Sequence, residues 1–149
     1  MERNNEQERV EKPIGYWLRE ADRAITAAVD RNLLQFNLTR RHWQVLNTIA
    51  EGGGIAKDDV LRLLRHFLDA FGLDEILKEL DSRKWIAPDK DPEAGGERLR
   101  LTEEGKAAHA EILAAQQNIR MRLFRGVTEE EYRTVLKVLR QVAENAKEF

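Results

Sequence analysis

The chain has 149 residues, no cysteine, and a formal net charge of −2 at pH 7. This length fits one domain, and the lack of cysteine excludes disulfides and thiol-based redox sensing. Because the net charge is close to zero, a nucleic-acid surface would have to be a local basic patch. No apolar run approaches membrane-spanning length and the N-terminus lacks a secretory signal, so we expect a cytoplasmic protein without membrane contact.

The N-terminal region divides into a tail and a long helix. Residues 1–12 are polar and charged, so we expect a flexible tail, followed by a single domain at residues 13–149. Pro13 suits the first turn of a helix. Apolar and small residues then recur at helical spacing to about residue 36. A long helix with such a face needs a partner to cover it.

A second helix is predicted after Thr39, a favourable N-cap residue, with Trp43 and Leu46 on its inward face. Arg40 and Arg41 lie in its first turn, where the helix dipole disfavours positive charge. These arginines are therefore either solvated or in contact with an anion, which would be a phosphate or an acidic ligand.

A helix-turn-helix is predicted in the middle of the chain. The glycines at 52–54 end the second helix, and no Lys-Ser/Thr pair follows them as it would in a phosphate-binding P-loop. A third helix is expected at about residues 56–67, with Phe67 facing inward. Asp69 can cap the next helix, at about residues 70–83. Two short helices joined by a tight turn form a helix-turn-helix, in which the second helix is the candidate recognition helix.

Two short strands and two further helices follow. The apolar residues 85–87 suit one strand, and residues 98–101 alternate with the period of a half-buried strand. Thr102 then caps a long helix, and Thr128 with Glu131 forms a capping box for the last one. The sequence predicts a mainly α fold with a small β-hairpin wing. The winged helix-turn-helix would span about residues 55–101, and dimerisation helices would span about 13–36 and 103–147.

Several segments resemble the MarR family of multiple-antibiotic-resistance regulators. They are, in chain order, residues 13–19 (PIGYWLR), 38–39 (LT), 43–46 (WQVL), 77–86 (LKELDSRKWI), 91–93 (DPE) and 101–105 (LTEEG). The resemblance extends from about Pro13 to Ala146. It implies a homodimeric, ligand-responsive regulator of transcription that binds double-stranded DNA at a pseudo-palindromic operator and acts as a repressor.

The resemblance also suggests which residues contact DNA, since a recognition helix presents its N-terminal residues to base edges. Where the family usually has Ser, Thr and Arg, this chain has Phe71, Gly72, Asp74 and Glu75. Carboxylates can accept from cytosine N4 but repel phosphate. From residue 57 to 84 the chain has six Lys or Arg against seven Asp or Glu. The candidate DNA-binding residues are Arg40, Arg41, Lys57, Phe71, Gly72, Asp74, Glu75, Lys78, Arg98 and Arg100.

The wing departs from the family pattern as well. Residues 94–96 (AGG) stand where the family often has a basic tip, and the loop is about one residue short. Arg98 and Arg100 share one face of the second strand. They either replace the missing contact with DNA or are solvated next to acidic residues.

The resemblance implies a small aromatic or phenolic ligand between the dimerisation helices and the winged lobe. The residues near that seam would be Tyr16, Trp17, Arg19, His42 and Trp43, which combine aromatic rings with a cation suited to an aromatic acid. The alternatives are structural: the two tryptophans pack in the core, and His42 caps a helix.

The sequence does not favour an enzyme. Its three histidines are isolated and lack metal-ligand spacing, and Ser82 is its only serine and lies in no nucleophile motif. We therefore expect no catalytic residue, no metal and no cofactor. The alternative to a DNA-binding regulator is a winged-helix dimer with degenerate DNA readout that serves as a protein-interaction or small-ligand-binding module.

Overall fold

The computed structural model describes residues 12–89 and 97–149. These residues form two compact units, one that ends at Ile119 and one from Arg120 to Phe149. The predicted tail, apart from Lys12, and the wing tip at residues 94–96 lie outside the described residues. The elements in chain order are α1 (Ile14–Leu34), α2 (Arg40–Gly52), β1 (Ile55–Ala56), α3 (Lys57–Leu63), α4 (Ala70–Ser82), β2 (Ile86–Asp89), β3 (Arg98–Leu101), α5 (Glu103–Leu123) and α6 (Glu129–Ala146).

The core of the first unit lies between α1, α2, α4 and α5. It is built from aliphatic side chains at helical spacing, and the burial of Leu46 confirms the inward face predicted for α2. Burying each such side chain contributes about 1.5–3 kcal/mol to stability. The fully buried large residues are Leu33, Val45, Leu46, Ile49, Val60, Leu73, Leu80 and Ile112.

Side chains cap four of the helices, as the sequence predicts; at α5, Thr102 Oγ1 accepts from Gly105 N at 3.0 Å. Asp69 Oδ1 accepts from Gly72 N at 2.8 Å and starts α4. At α6, Thr128 Oγ1 accepts from Glu131 N at 3.1 Å, and Glu131 Oε1 accepts from Thr128 N at 3.0 Å. Hydrogen bonds from the backbone N–H and then the side chain of Thr128 to its carboxylate lower the pKa of Glu131. Thr39 caps α2, but its reciprocal partner in the capping box is His42 rather than an acidic residue.

The wing belongs to a three-stranded antiparallel sheet with the order β1-β3-β2. Ile86 pairs with Leu101 and Asp89 with Arg98, so β2 and β3 form the predicted hairpin. The strand β1, which pairs Ile55 with Leu99, was not predicted from the sequence. It has two residues, too few to show the alternation by which a strand is recognised.

The third helix is shorter than predicted. It ends at Leu63, and the chain turns through Phe67 N and Leu68 N, which both donate to Leu64 O. This turn lets Leu68 pack against the core ahead of the α4 cap. The prediction that Phe67 faces inward was wrong, because its side chain is 49% exposed.

The start of α5 is held by hydrogen bonds to the residues that follow α4. Thr102 Oγ1 donates to Lys84 O at 2.5 Å, and Thr102 N donates to Trp85 O at 3.0 Å. Gly105 is buried one turn into α5, where an added Cβ would overlap the Trp85 carbonyl oxygen. The glycine therefore allows α5 to lie directly on the chain that leads into β2.

Candidate nucleic-acid interface

The helix α4 presents its N-terminal half next to the wing strands. Phe71, in the first turn, is 72% exposed, an unusual position for a large apolar side chain unless it contacts another molecule. A cleft of about 510 Å³ lies between α4 and the strands β2 and β3. Its lining residues are Lys57, Phe71, Asp74, Glu75, Leu77, Lys78, Asp81, Ile86, Ala87, Pro88, Glu97 and Leu99.

An ion pair joins the two helices of the helix-turn-helix. Lys57, the first residue of α3, places Nζ 2.5 Å from Asp74 Oδ1 on α4. The hydrogen bond to Asp74 raises the pKa of Lys57, and the charges of Asp74, Glu97 and Asp58 act in the same direction. Both side chains are about half exposed, so solvent weakens the pair but leaves it within reach of a phosphate.

The second lysine of this cleft is also paired. Lys78 Nζ lies 3.5 Å from Glu75 Oε1, one turn earlier in α4. Asp81 and Glu97 line the cleft as well, so two lysines face four carboxylates. Among the described residues this cleft therefore carries net negative charge, and both of its lysines already have a carboxylate partner.

The two arginines of β3 lie on the face of the strand away from this cleft. Arg98 is half-buried and its Nη1 donates to Gly54 O at 3.1 Å, next to β1. Arg100 is exposed and lines a different cleft of about 440 Å³, together with Asp89, Lys106 and His109. The predicted shared face of Arg98 and Arg100 exists, but Arg98 is engaged with the backbone.

Arg40 and Arg41 line neither of these two clefts. Both lie at the corner between α1 and α2, in a third cleft that also contains Phe67. Arg40 Nε is 3.2 Å from Asp30 Oδ1, and the Arg41 guanidinium lies 5.5 Å from the centre of the Phe67 ring. The structure thus separates the candidate DNA-binding residues into groups that do not share a surface cleft.

Two residues that the sequence analysis did not single out hold α4 in place. Arg83 donates from Nη1 to Phe36 O at 3.0 Å and from Nη2 to Asn37 O at 2.6 Å. Glu79 contacts His42 Nε2, which links α4 to the first turn of α2. Each of these contacts joins residues more than 35 positions apart, so no local pattern in the sequence could have indicated them.

The five candidate ligand residues form two groups. Tyr16 and Trp17 make an edge-to-face ring pair near the start of α1, with ring centres 5.0 Å apart. His42 and Trp43 lie in the first turn of α2. The helix rises about 1.5 Å per residue, so Trp17 is roughly 25 Å from the end of α1 that leads into α2. Tyr16 and Trp17 are therefore remote from the turn that joins α1 to α2.

Two of these residues, His42 and Trp43, make contacts within the fold of a single chain. His42 is the capping partner of Thr39, as expected for a capping histidine. Trp43 packs against the core and stacks on His109, with ring centres 5.2 Å apart. Trp17, in contrast, is 42% exposed and Arg19 is exposed, so Trp17 is not a core residue of one chain.

His109 has the only clearly shifted histidine pKa among the described residues. Burial lowers it, and the charge of Glu51 opposes the shift. Its Nε2 donates to Asn47 Oδ1 at 2.8 Å. Burial therefore favours the neutral form of His109, whose ring stacks on Trp43.

The described residues contain no group of three or more histidines and carboxylates placed to hold a metal ion. Within the same part of the chain, no helix combines the length and the apolar character needed to cross a membrane.

No protein-family model and no curated protein matches the chain. Solved structures do. Wild-type apo MarR from E. coli has a TM-score of 0.68 at 20% identity, covering 88% of this chain and 97% of that one. A cysteine-to-serine mutant of E. coli MarR in complex with operator DNA has a TM-score of 0.69 at 21% identity, covering 87% of this chain and 93% of that one. A probable transcriptional regulator from Pseudomonas aeruginosa has a TM-score of 0.67 at 25% identity, covering 89% of this chain and 98% of that one.

These similarities define the class of fold. The helix-turn-helix α3–α4, the antiparallel wing and the flanking long helices form a winged helix. More particularly, this is the winged-helix fold of MarR, which confirms the predicted resemblance at the level of the fold.

Proposed function

We propose that this chain is a DNA-binding regulator of transcription that acts as a homodimer on a pseudo-palindromic operator. One observation carries the proposal: α4 presents an exposed N-terminal face beside the wing, in the same fold as a MarR protein solved with operator DNA. In winged helix-turn-helix proteins this helix enters the major groove. We further propose repression as the output and relief by a small ligand.

The exposed apolar faces of the long helices support the homodimer. Leu18 on α1 and Val135, Val138 and Val142 on α6 are each about half exposed, and α6 has no buried residue. Apolar stripes of this kind on long helices are typical of surfaces that pack against another helix. A two-fold pair would hold two α4 helices at one fixed separation, as half-sites about 34–36 Å apart require.

Selection from random duplexes tests this function. The purified protein is incubated at low salt with a pool of randomised DNA, and bound duplexes are sequenced after several rounds. We expect enrichment of a palindrome with half-sites about one helical turn apart. Lys78→Glu, which reverses a charge on the exposed face of α4, is expected to abolish enrichment. A pool that stays random would contradict the proposal.

The acidic cleft favours a second candidate function, that of an interaction module for a basic partner. Four carboxylates and two paired lysines are more suited to a lysine-rich peptide than to phosphate. Fluorescence anisotropy with a labelled oligolysine peptide separates the two functions. Binding of the peptide without enrichment of any duplex would favour the module, and enrichment of a palindrome would favour the regulator.

A further inference from the structure

We propose that Phe71 contacts the C5-methyl group of a pyrimidine in the major groove, and that Glu75 accepts a hydrogen bond from the 4-amino group of a cytosine at the same or the next base pair. The inference rests on the proposed function and deepens it, because it states which base features an operator must carry. Thymine and 5-methylcytosine both present a C5-methyl group, so either base can supply the contact with Phe71.

The exposure of Phe71 is the first observation. Phe71 is the second residue of α4, it lines the cleft beside β2 and β3, and its side chain is 72% exposed. The apolar stripes proposed to form the dimer lie on other helices, α1 and α6, so the dimer gives no reason for this exposure. A recognition helix places its N-terminal residues at base edges, and Phe71 has that position in α4.

The chemistry of phenylalanine limits what it can recognise there. The base edges in the major groove carry hydrogen-bond donors, hydrogen-bond acceptors and one apolar group, the C5-methyl of thymine. The Phe71 side chain neither donates nor accepts a conventional hydrogen bond, so the methyl group is the one feature that it can cover without leaving a polar atom unpaired. Removing the methyl group and the ring from water together favours binding.

Glu75 lies one turn after Phe71 and lines the same cleft. Residues four apart share a helix face, and helical side chains point back towards the N-terminus, so the Glu75 carboxylate covers the turn that carries Phe71. Its ion-pair partner among the described residues is Lys78, at 3.5 Å, and both side chains are half exposed or more. A carboxylate at this position can accept from cytosine N4. Asp74, in contrast, is engaged by Lys57.

The paired lysines increase the importance of these two base contacts. Attraction to phosphate depends on free cations and is independent of sequence, whereas contacts with base edges supply specificity. Because Lys57 and Lys78 already have carboxylate partners, base contacts would supply a larger share of the affinity for an operator. A contact with a methyl group releases no counterion, so losing it should lower the affinity without changing the dependence on salt.

Base analogues in the enriched duplex test the methyl contact. Fluorescence anisotropy compares binding of the full chain to this duplex, to a version with uracil in place of thymine, and to a version with 5-methylcytosine in place of cytosine. Loss of one buried methyl group weakens binding about fourfold, or about fifteenfold for two half-sites. We expect a loss of this size with uracil if thymine supplies the methyl group, or a gain of this size with 5-methylcytosine if that base supplies it.

Phe71→Ala should abolish the effect of the analogues and leave the slope of log K against log salt unchanged. Phe67→Ala is the matched control, because Phe67 is also an exposed phenylalanine but lines a different cleft. It should respond to the analogues like the unmodified chain. An equal response in Phe71→Ala and the unmodified chain would overturn the contact.

Selection with Glu75→Gln tests the second contact. Glutamine pairs with adenine N6 and N7, so the enriched sequence should change from cytosine to adenine at one position in each half-site. An unchanged enriched sequence would exclude Glu75 from base recognition. A duplex that is enriched but binds equally with thymine, uracil and 5-methylcytosine would overturn the methyl contact and leave the regulator intact. A pool that stays random would instead contradict the regulator, and the base contacts with it.

Discussion

Lys57 Nζ at the start of α3 and Asp74 Oδ1 on α4 lie 2.5 Å apart. Lys57 is therefore paired with the candidate recognition helix in the chain without DNA. Lys78 is paired with Glu75 in the same way. Binding of DNA would have to exchange these carboxylates for phosphates, so the carboxylates set how strongly the protein binds DNA of any sequence.

Replacing Asp74 with Asn should strengthen DNA binding. The change frees Lys57 for a phosphate and removes a repulsive charge, so affinity for non-specific duplex should rise. Because a dimer gains about two phosphate contacts, the slope of log K against log salt should become steeper by roughly 2. For the unmodified protein, about four to six neutralised phosphates predict a shallow slope, near −4 to −5.

Fluorescence anisotropy at several salt concentrations measures both effects. Glu129→Gln is the control, because it removes the same charge from an exposed ion pair on α6. An unchanged slope in Asp74→Asn, or the same gain in Glu129→Gln, would refute the role of Asp74. A slope of about −10 in the unmodified protein would contradict the shallow dependence.

Gly105→Ala should destabilise the fold. Its Cβ would collide with the Trp85 carbonyl oxygen, and neither backbone segment can move without disturbing α5 or β2. We expect a loss of about 1–3 kcal/mol in the free energy of unfolding, as for other overpacked sites. Urea unfolding followed by circular dichroism measures it.

Gly15→Ala is the matched control for this substitution. Gly15 is also helical, but nothing lies within 4 Å of its would-be Cβ. Alanine should stabilise α1 there by about 0.5–1 kcal/mol. If both substitutions shift stability in the same direction, the close approach of α5 to Trp85 is wrong.

The stability of the fold should fall as the pH decreases through the range where histidine titrates. Burial lowers the pKa of His109 in the folded chain, whereas the unfolded chain has the ordinary value of about 6.5. The unfolded state therefore binds the proton more readily. The contribution of neutral His109 is complete above about pH 6.5 and is lost as the pH falls through the folded-state pKa.

His109→Gln should flatten this dependence, since glutamine can donate to Asn47 without titrating. Chemical unfolding at pH 7.5, 6.5 and 5.5 measures how the free energy of unfolding changes with pH. The control is His66→Gln, at an exposed histidine. If His109→Gln and the unmodified chain show the same pH dependence of the free energy of unfolding, His109 is excluded as its source.

The apolar face of α6 should control the assembly. Val138→Glu puts a charge into the exposed stripe of valines and should weaken dimerisation by at least about tenfold, because a buried unpaired charge is costly. Lys137→Glu places the same residue on another side of the helix, 100° away. Sedimentation velocity measures the dimerisation of the two variants. Equal dimerisation of both would show that the valine face of α6 is not part of the dimer interface.

Local patterns in the sequence accounted for much of the fold. The caps at Thr128 and Asp69 depend on residues three positions away, and the helix stripes depend on spacing alone, so both were predictable. The strand β1 was missed because Ile55 pairs with Leu99, far along the chain. Phe67 was misassigned because its position fits a helix stripe, although the helix ends before it.

The site was less predictable than the fold. The sequence identifies Lys57, Asp74 and Lys78 as exposed charged residues, but their pairing depends on how α3 packs against α4. The same holds for Arg83, whose partners are backbone carbonyls in the turn after α1. Spacing cannot indicate a contact whose two sides come from separate elements.

Sedimentation equilibrium of the purified protein at low micromolar concentration tests the proposed dimer. In such a dimer two copies cover the apolar faces of α1 and α6 and hold two α4 helices at one separation. We expect the mass of two chains across the whole concentration range. A single chain that remains folded at these concentrations would contradict the proposed regulator, since no fixed pair of α4 helices would then exist.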